Sequence, residues 1–332
     1  MSAKVARWLT TEELAARADV LETKLGHCDI CPRACGVDRT RRSNGFCRSG
    51  WHPILSAHGP HFGEEPPISG QKGAGNLFFG NCNLRCVYCQ NHQISQSPGA
   101  ERHRAIDCRA LSRTMMELAK RGCHNINLVS PTHFVPQIVR SLSMARAAGL
   151  SLPIVYNCNG YESVETLQLL DGIVHVYLPD LKYADEELAR RYSGVDQYVD
   201  TARAAIREMY RQLGSKLVID DRGMMIKGMI VRLLVLPNGL ADVERSLTFI
   251  QEELSPDVAI SLMAQYYPTQ RVRANGRDLL LSRTISFAEW QRALAVLDRL
   301  GMENGWLQDW AEAPECYRPD FNDRCNPFKT AV

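Results

Sequence analysis

The chain of 332 residues has almost no net charge: 39 Lys and Arg against 37 Asp and Glu leave +2 with His neutral. A surface so balanced makes no demand for a nucleic acid or an anionic membrane as partner. No apolar run is long enough to cross a bilayer, and no apolar leader stands near Met1. A cytoplasmic protein is therefore expected. Internal repeats and low-complexity segments are also missing, which excludes solenoids and fibrous folds. The chain does have a composition that is 45% hydrophobic and holds 12 cysteines. That is enough apolar content for a large core. Without an export signal, so many cysteines point to metal ligands and buried thiols rather than disulfides.

The chemistry concentrates in Asn81-Cys82-Asn83-Leu84-Arg85-Cys86-Val87-Tyr88-Cys89-Gln90-Asn91, with spacing Cys-x3-Cys-x2-Cys. It follows the short apolar run 76–80, which reads as a buried strand. Three thiolates on one tight loop can hold three irons of a four-iron cluster, and such clusters take four cysteines as a rule. One iron is then left for a substrate or cofactor. The competing readings are three buried thiols or a zinc site, but zinc needs a fourth ligand at pair spacing and the loop offers none.

Cys82, Cys86 and Cys89, with Tyr88 before the last, resemble the signature of radical S-adenosylmethionine (SAM) enzymes. More narrowly, the chain is similar to pyruvate-formate-lyase-activating-enzyme-like iron–sulfur proteins. The matching residues are Cys28-Asp29-Ile30-Cys31-Pro32-Arg33-Ala34-Cys35-Gly36, Gly63-Glu64-Glu65-Pro66-Pro67-Ile68-Ser69-Gly70, the cysteine loop and Ser130-Pro131-Thr132-His133-Phe134. Gln265-Tyr266-Tyr267-Pro268 and Tyr317-Arg318-Pro319-Asp320-Phe321 extend the match to the C-terminal region.

Ahead of the loop, Thr10 and Glu13 form a capping box that opens a helix ending near Lys24. Cys28, Cys31, Cys35 and Cys47 follow at Cys-x2-Cys-x3-Cys-x11-Cys. Four soft thiolates in a segment too poor in apolar residues to fold unaided indicate a metal staple. Ligand count admits either zinc or a second [4Fe-4S] cluster; the reading taken here is iron–sulfur. Arg39, Arg41, Arg42 and Arg48 in the same segment read as a solvated loop. Residues 51–75, rich in Gly and Pro, read as an ordered loop, with Glu64 and Glu65 kept as site candidates.

From Asn76 onward strands alternate with helices. Strands are expected at 77–79, 126–129, 154–156, 174–178, 229–236 and 258–263. Helices are expected at 107–120, 134–148, 163–170, 186–192 with 199–213, 240–254 and 286–300, the last with a capping box from Ser286 to Glu289. Six such units imply an α/β fold with a parallel sheet. A closed barrel needs eight units and about 250 residues. The expectation is an incomplete (β/α)6 barrel over 75–301, after an N-terminal helix and Cys-rich metal-binding segment over 1–74. A C-terminal tail, 302–332, docks on it; the resemblance implies the same partial barrel. The tail carries Trp306, Trp310, Cys316 and Cys325. A structural role is expected for it, with closure of the site or hydrogen-atom donation from Cys316 as the alternative.

In parallel α/β folds ligands bind at the C-terminal strand ends. The resemblance implies SAM there, chelating the open iron, with Tyr88 near its adenine. Related enzymes carry Gly-Gly-Glu after the second strand; here Ser130-Pro131-Thr132-His133 stands instead, leaving Thr132 and the Ser130 backbone as substitutes and His133 as a substrate-facing candidate. Asn157-Cys158-Asn159-Gly160 is similar to an Asp-Thr-Asn-Gly of activating enzymes, with Asn157 in place of the Asp. Asp180-x-Lys182 resembles their motif whose lysine approaches the SAM carboxylate. Arg232, charged inside an apolar strand, needs a SAM group or an acidic side chain as partner. Cys108, Cys123 and Cys158 are left as small hydrophobes.

Taken together the resemblance implies reductive cleavage of SAM and hydrogen-atom abstraction by a 5′-deoxyadenosyl radical. No acid–base pair is needed for that step, and none is evident. The expected substrate is a protein or peptide such as a glycyl-radical enzyme, with flavodoxin or ferredoxin as electron donor. The alternatives are radical modification of a small molecule or peptide, and a non-catalytic iron–sulfur electron carrier. Asp180, Lys182 and Tyr88 argue against the carrier.

Overall fold

The computed structural model describes residues 9–42, 44–274, 279–323 and 327–328. Among them nine strands form one sheet: β1 (Leu55–His61), β2 (Ala74–Phe79), β3 (Ile126–Val129), β4 (Ile154–Cys158), β5 (Val176–Pro179), β6 (Val218–Ile219), β7 (Met225–Leu234), β8 (Ala259–Met263) and β9 (Gly305–Leu307). The order is β1-β2-β3-β4-β5-β7-β8-β9, with β6 paired to β7 off this path. From β2 to β9 along that path every pairing is parallel, whereas β1 and β6 pair antiparallel with β2 and β7. β1 and β9 are the two ends of the sheet, so the barrel is unclosed. Among the described residues no helix is long and apolar enough to cross a membrane.

The six expected strands are all present as β2, β3, β4, β5, β7 and β8. Residues 55–61 were expected in a loop and form β1, whose Gly59 and Pro60 disguise it; an antiparallel edge strand tolerates both. Residues 305–307 were expected in the tail and extend the sheet as β9.

Side chains divide by the two-residue period of a strand. Leu77, Phe79, Ile154, Tyr156, Tyr177, Val231, Leu233, Ile260 and Leu262 join the large outer core with the helices. The alternate residues Val155, Val176, Leu178, Ile230 and Ala259 form a second core inside the curve of the sheet. The helices lie where the apolar periodicity puts them, including Cys108–Lys120, Val135–Ala147, Tyr198–Leu213 and Val243–Glu253. Both capping boxes form, at Thr10–Glu13 and Ser286–Glu289. The first helix, Thr11–Thr23, packs mainly on Val135–Ala147.

Candidate functional site

A cavity of ≈ 720 Å³ opens at the C-terminal ends of the parallel strands. The loops after β2, β3, β4, β5 and β8 and the tail all contribute to it. Cys82, Cys86, Tyr88 and Cys89 line it, together with Asn157, Asn159, Asp180, Lys182 and Arg232. Most of the site residues expected on the barrel thus converge on one space.

The cysteine loop is held in place by its own hydrogen bonds. Asn159 donates from Nδ2 to Asn83 Oδ1 at 2.7 Å and faces Cys82 Sγ at 3.4 Å. The Leu84 N–H points at Cys82 Sγ at 3.4 Å, and Ser193 Oγ donates to Cys86 Sγ at 2.9 Å. Gly160, next to Asn159, has φ +80°, and a side chain there would meet the Asp180 carbonyl oxygen at 2.4 Å. Only glycine permits this approach. Burial pushes the Cys82 thiol up to about 12 and the Cys89 thiol up to about 11, and raises Cys86 as well. Such thiols ionise at neutral pH only against a metal. Cys158 also lines the cavity, but its thiol engages Glu162 and is not a fourth ligand to the set.

Beside the loop, Lys182 Nζ lies 2.5 Å from Asp180 Oδ2. Burial opposes the lysine charge, yet Asp180 and Cys86 hold it protonated. The Lys182 N–H donates to the Tyr198 hydroxyl, which in turn donates to the Asn159 carbonyl, both at 2.9 Å. The Tyr88 ring is buried edge-on between Tyr183 and Tyr266, with ring centres 6.3 and 6.1 Å away. A cationic side chain and an aromatic ring therefore flank the three thiols, an arrangement that suits a charged, aromatic cofactor.

After β3 the structure departs from expectation. Ser130 lines the cavity with φ +57°, a backbone setting ordinarily given to glycine. Thr132 is not on the cavity wall: its hydroxyl donates to Glu162 Oε1 at 2.5 Å. Tyr156 donates to the other oxygen of Glu162 at 2.9 Å. Burial pushes this carboxyl up to about 7, although Thr132 and Tyr156 favour its charge. His133 also turns away from the cavity. It is fully buried, with Nε2 2.8 Å from the Gly80 carbonyl. Since a carbonyl can only accept, the proton sits on Nε2, and Nδ1 has no partner among the described residues. Burial lowers its pKa to about 3.

Arg232 has acidic partners within the chain. Its Nε donates to Glu65 Oε1 at 2.8 Å, and an Nη donates to Glu64 Oε2 at 2.6 Å. Asn76 and Asn127 donate to the remaining Glu64 oxygen at 2.9 and 2.8 Å. Burial alone would raise the Glu64 carboxyl, but Arg232 outweighs it and brings it down to about 2. The partner that sequence reasoning left open is thus Glu64 with Glu65, the two candidates kept from the loop before β2.

The four N-terminal cysteines come together. Cys28, Cys31, Cys35 and Cys47 line one small void of ≈ 10 Å³ with Arg33, Arg39, Phe46, Asn83 and His133. Arg39 corrects the solvated reading of this segment: it is 1% exposed. Its guanidinium donates to the Ser49 and Gly50 carbonyls and lies 3.8 Å from Cys28 Sγ. Among the described residues no carboxylate pairs with it. A buried cation without an anion is costly, so the donor set suits a negatively charged metal–thiolate centre. Among the described residues no three His, Cys, Asp or Glu side chains stand close enough to enclose a single ion; a four-iron cube spreads its ligands wider than one ion does. Asn83 joins the two sites. It faces the small void, while its neighbour Cys82 faces the cavity. Cys316 is not among the cavity-lining residues, although the adjacent Tyr317 is; Cys325 lies outside the described residues.

Residues 76–228 match the sequence profile of the Radical SAM superfamily. A radical SAM domain implies a [4Fe-4S] cluster and SAM. An uncharacterized protein of Methanocaldococcus jannaschii is 28% identical over 299 residues, covering 87% of this chain and 80% of its own. Among solved structures, a radical SAM methyltransferase from Sphaerobacter thermophilus is similar with a TM-score of 0.49 and 14% identity, covering 72% of this chain and 67% of that one. HydG, a maturase of the [FeFe]-hydrogenase, is similar with a TM-score of 0.45 and 13% identity, covering 68% of this chain and 48% of that one.

Proposed function

We propose that this protein cleaves SAM reductively in the cavity and takes a hydrogen atom from a peptide or protein segment, as glycyl-radical activating enzymes do. The observation that carries the reading is the convergence of Cys82, Cys86, Cys89, Tyr88, Asp180 and Lys182 on one cavity. When bound, the cluster and SAM supply the electron and the 5′-deoxyadenosyl radical. The chain's own part is to bind, orient and exclude water. Lys182 offers an ammonium to the cofactor carboxylate, Tyr88 an apolar face to its adenine, and Asn159 steadies the cysteine loop. The cavity volume is within the ~300–1,000 Å³ of a single ligand site. A small molecule fits the same space and is the second reading.

We propose further that Cys28, Cys31, Cys35 and Cys47 hold a second iron–sulfur cluster, with Arg39 as its counter-charge; zinc is the alternative. Anaerobically reconstituted, reduced protein is expected to convert SAM to 5′-deoxyadenosine and methionine, and the Cys82→Ala variant to lose this activity. Equal turnover by wild type and variant, or none by wild type, overturns the enzymatic reading. A Cys28→Ala/Cys31→Ala variant is expected to lose about four irons per chain; loss of zinc instead decides for the alternative. A glycyl-radical signal on a partner protein distinguishes the activase from small-molecule chemistry.

A further inference from the structure

Arginines gather on the loops that carry both cysteine sets. Arg33 lies between Cys31 and Cys35, Arg48 follows Cys47, and Arg85 lies between Cys82 and Cys86. The Arg33 and Arg85 guanidiniums both pack on the Phe46 ring, 3.3 and 4.2 Å from its centre. Arg85 donates to the Phe46 carbonyl at 2.9 Å, and Arg33 to the Asn83 and Gly194 carbonyls at 2.6 and 2.8 Å. Arg271 reaches the same loop from beyond β8: it donates to Gln96, whose Nε2 donates to the Cys86 carbonyl at 2.8 Å.

These partners are neutral. Among the described residues none of the four arginines forms an ion pair with a carboxylate. Asp196, near Arg33, is already held by Arg190 at 2.5 Å. Arg33 and Arg85 share the Phe46 ring, exposed Arg48 follows it two residues on, and exposed Arg271 reaches the Arg85 loop through Gln96. Fixing like charges side by side is unfavourable in the free protein, and an anionic partner relieves it. The patch is local, since the whole chain nets only +2.

We propose that Arg33, Arg48, Arg85 and Arg271 form the docking surface for an acidic one-electron carrier protein of the flavodoxin or ferredoxin class. This rests on the radical SAM reading, in which one electron passes from the reduced carrier to the cluster and leaves the carrier oxidised by one electron. Three of the four arginines stand on the loops the electron must reach, and Asn83 lines the void of the N-terminal cysteines while touching Cys82. A nucleic acid fits less well: two guanidiniums already pack on the Phe46 ring, where a base would have to stack.

The test compares the reconstituted wild type with an Arg48→Glu/Arg271→Glu variant, which leaves the loop-fastening Arg33 and Arg85 untouched. Calorimetric titration with flavodoxin, and separately ferredoxin, is run between about 50 mM and about 500 mM salt. The expected result is salt-weakened binding of at least one carrier to wild type and a loss of roughly tenfold or more at low salt in the variant. An Arg48→Lys/Arg271→Lys variant is expected to restore binding. SAM cleavage driven by dithionite, which needs no docking surface, is expected to stay equal in all three. Absence of carrier binding to wild type, equal binding by the Glu variant, salt-independent binding, or displacement of the carrier by a single-stranded oligonucleotide overturns the proposal. Failure of dithionite-driven cleavage in wild type sinks the underlying radical SAM reading instead, while the titration still reports on docking.

Discussion

Glu162 has both carboxyl oxygens engaged, by the Thr132 and Tyr156 hydroxyls, in a place that water does not reach. Burial lifts its pKa from 4.5 to about 7. Unfolded, the group ionises first, so between these values the folded state holds the extra proton and stability falls as pH rises. Stability is therefore complete below 4.5 and declines toward 7, by about 3 kcal/mol for a shift of this size. Denaturant unfolding across that window is expected to show the decline in wild type and not in Glu162→Gln, which stays neutral throughout. Parallel stability curves for the two proteins would contradict the buried, protonated carboxyl. The sequence held no hint of this role, because Thr132 comes from the turn after β3, 30 residues away. His133 and Thr132 illustrate the same limit. They follow the strand end where a cofactor contact was expected, yet Thr132 binds Glu162 and His133 the Gly80 carbonyl, both off the cavity wall.

Among the elements, β7 is tied across the barrel interior to the segment between β1 and β2 by Arg232, Glu64 and Glu65. The three charges are buried together, so removing the cation strands two carboxylates. The Arg232→Met variant is expected to lose about 3–5 kcal/mol of stability, measured by denaturant unfolding. Adding Glu64→Gln and Glu65→Gln should recover most of that loss. Unchanged stability in the single variant would show that the network is not structural. The six central strands were legible because fully covered parallel strands read as continuous apolar runs. β1 was not legible, because one face of an edge strand can carry Gly59 and Pro60. β6 and β9, of two and three residues, are too short for any period to appear.

On the scale of the molecule, the C-terminal tail covers one flank of the cavity. Phe321 is 1% exposed and packs edge-on against Phe78 at 5.4 Å. Its N–H donates to Gln93 Oε1 at 2.7 Å. Tyr317 on the same tail lines the cavity. Phe321→Ala is expected to cost about 3–5 kcal/mol at this contact, releasing the tail while the sheet stays folded. Limited proteolysis should then cut within 309–323 faster than in wild type and leave the barrel intact. Equal cleavage rates would mean the tail is held elsewhere.

The spacing of Cys82, Cys86 and Cys89 pointed to iron–sulfur chemistry without help from the fold, because thiols a few residues apart on one loop are necessarily neighbours. Apolar periodicity likewise determined the alternating strands and helices, since period and burial are local properties of the chain. Tertiary structure alone decided which polar residues meet. It paired Arg232 with Glu64 and Glu65 across 168 and 167 positions of sequence. It turned Arg39 inward against Cys28 and brought the N-terminal cysteines to the back of the loop at Asn81–Asn91. Such contacts join segments whose separation in sequence says nothing about their distance in space, so only the path of the sheet could set them.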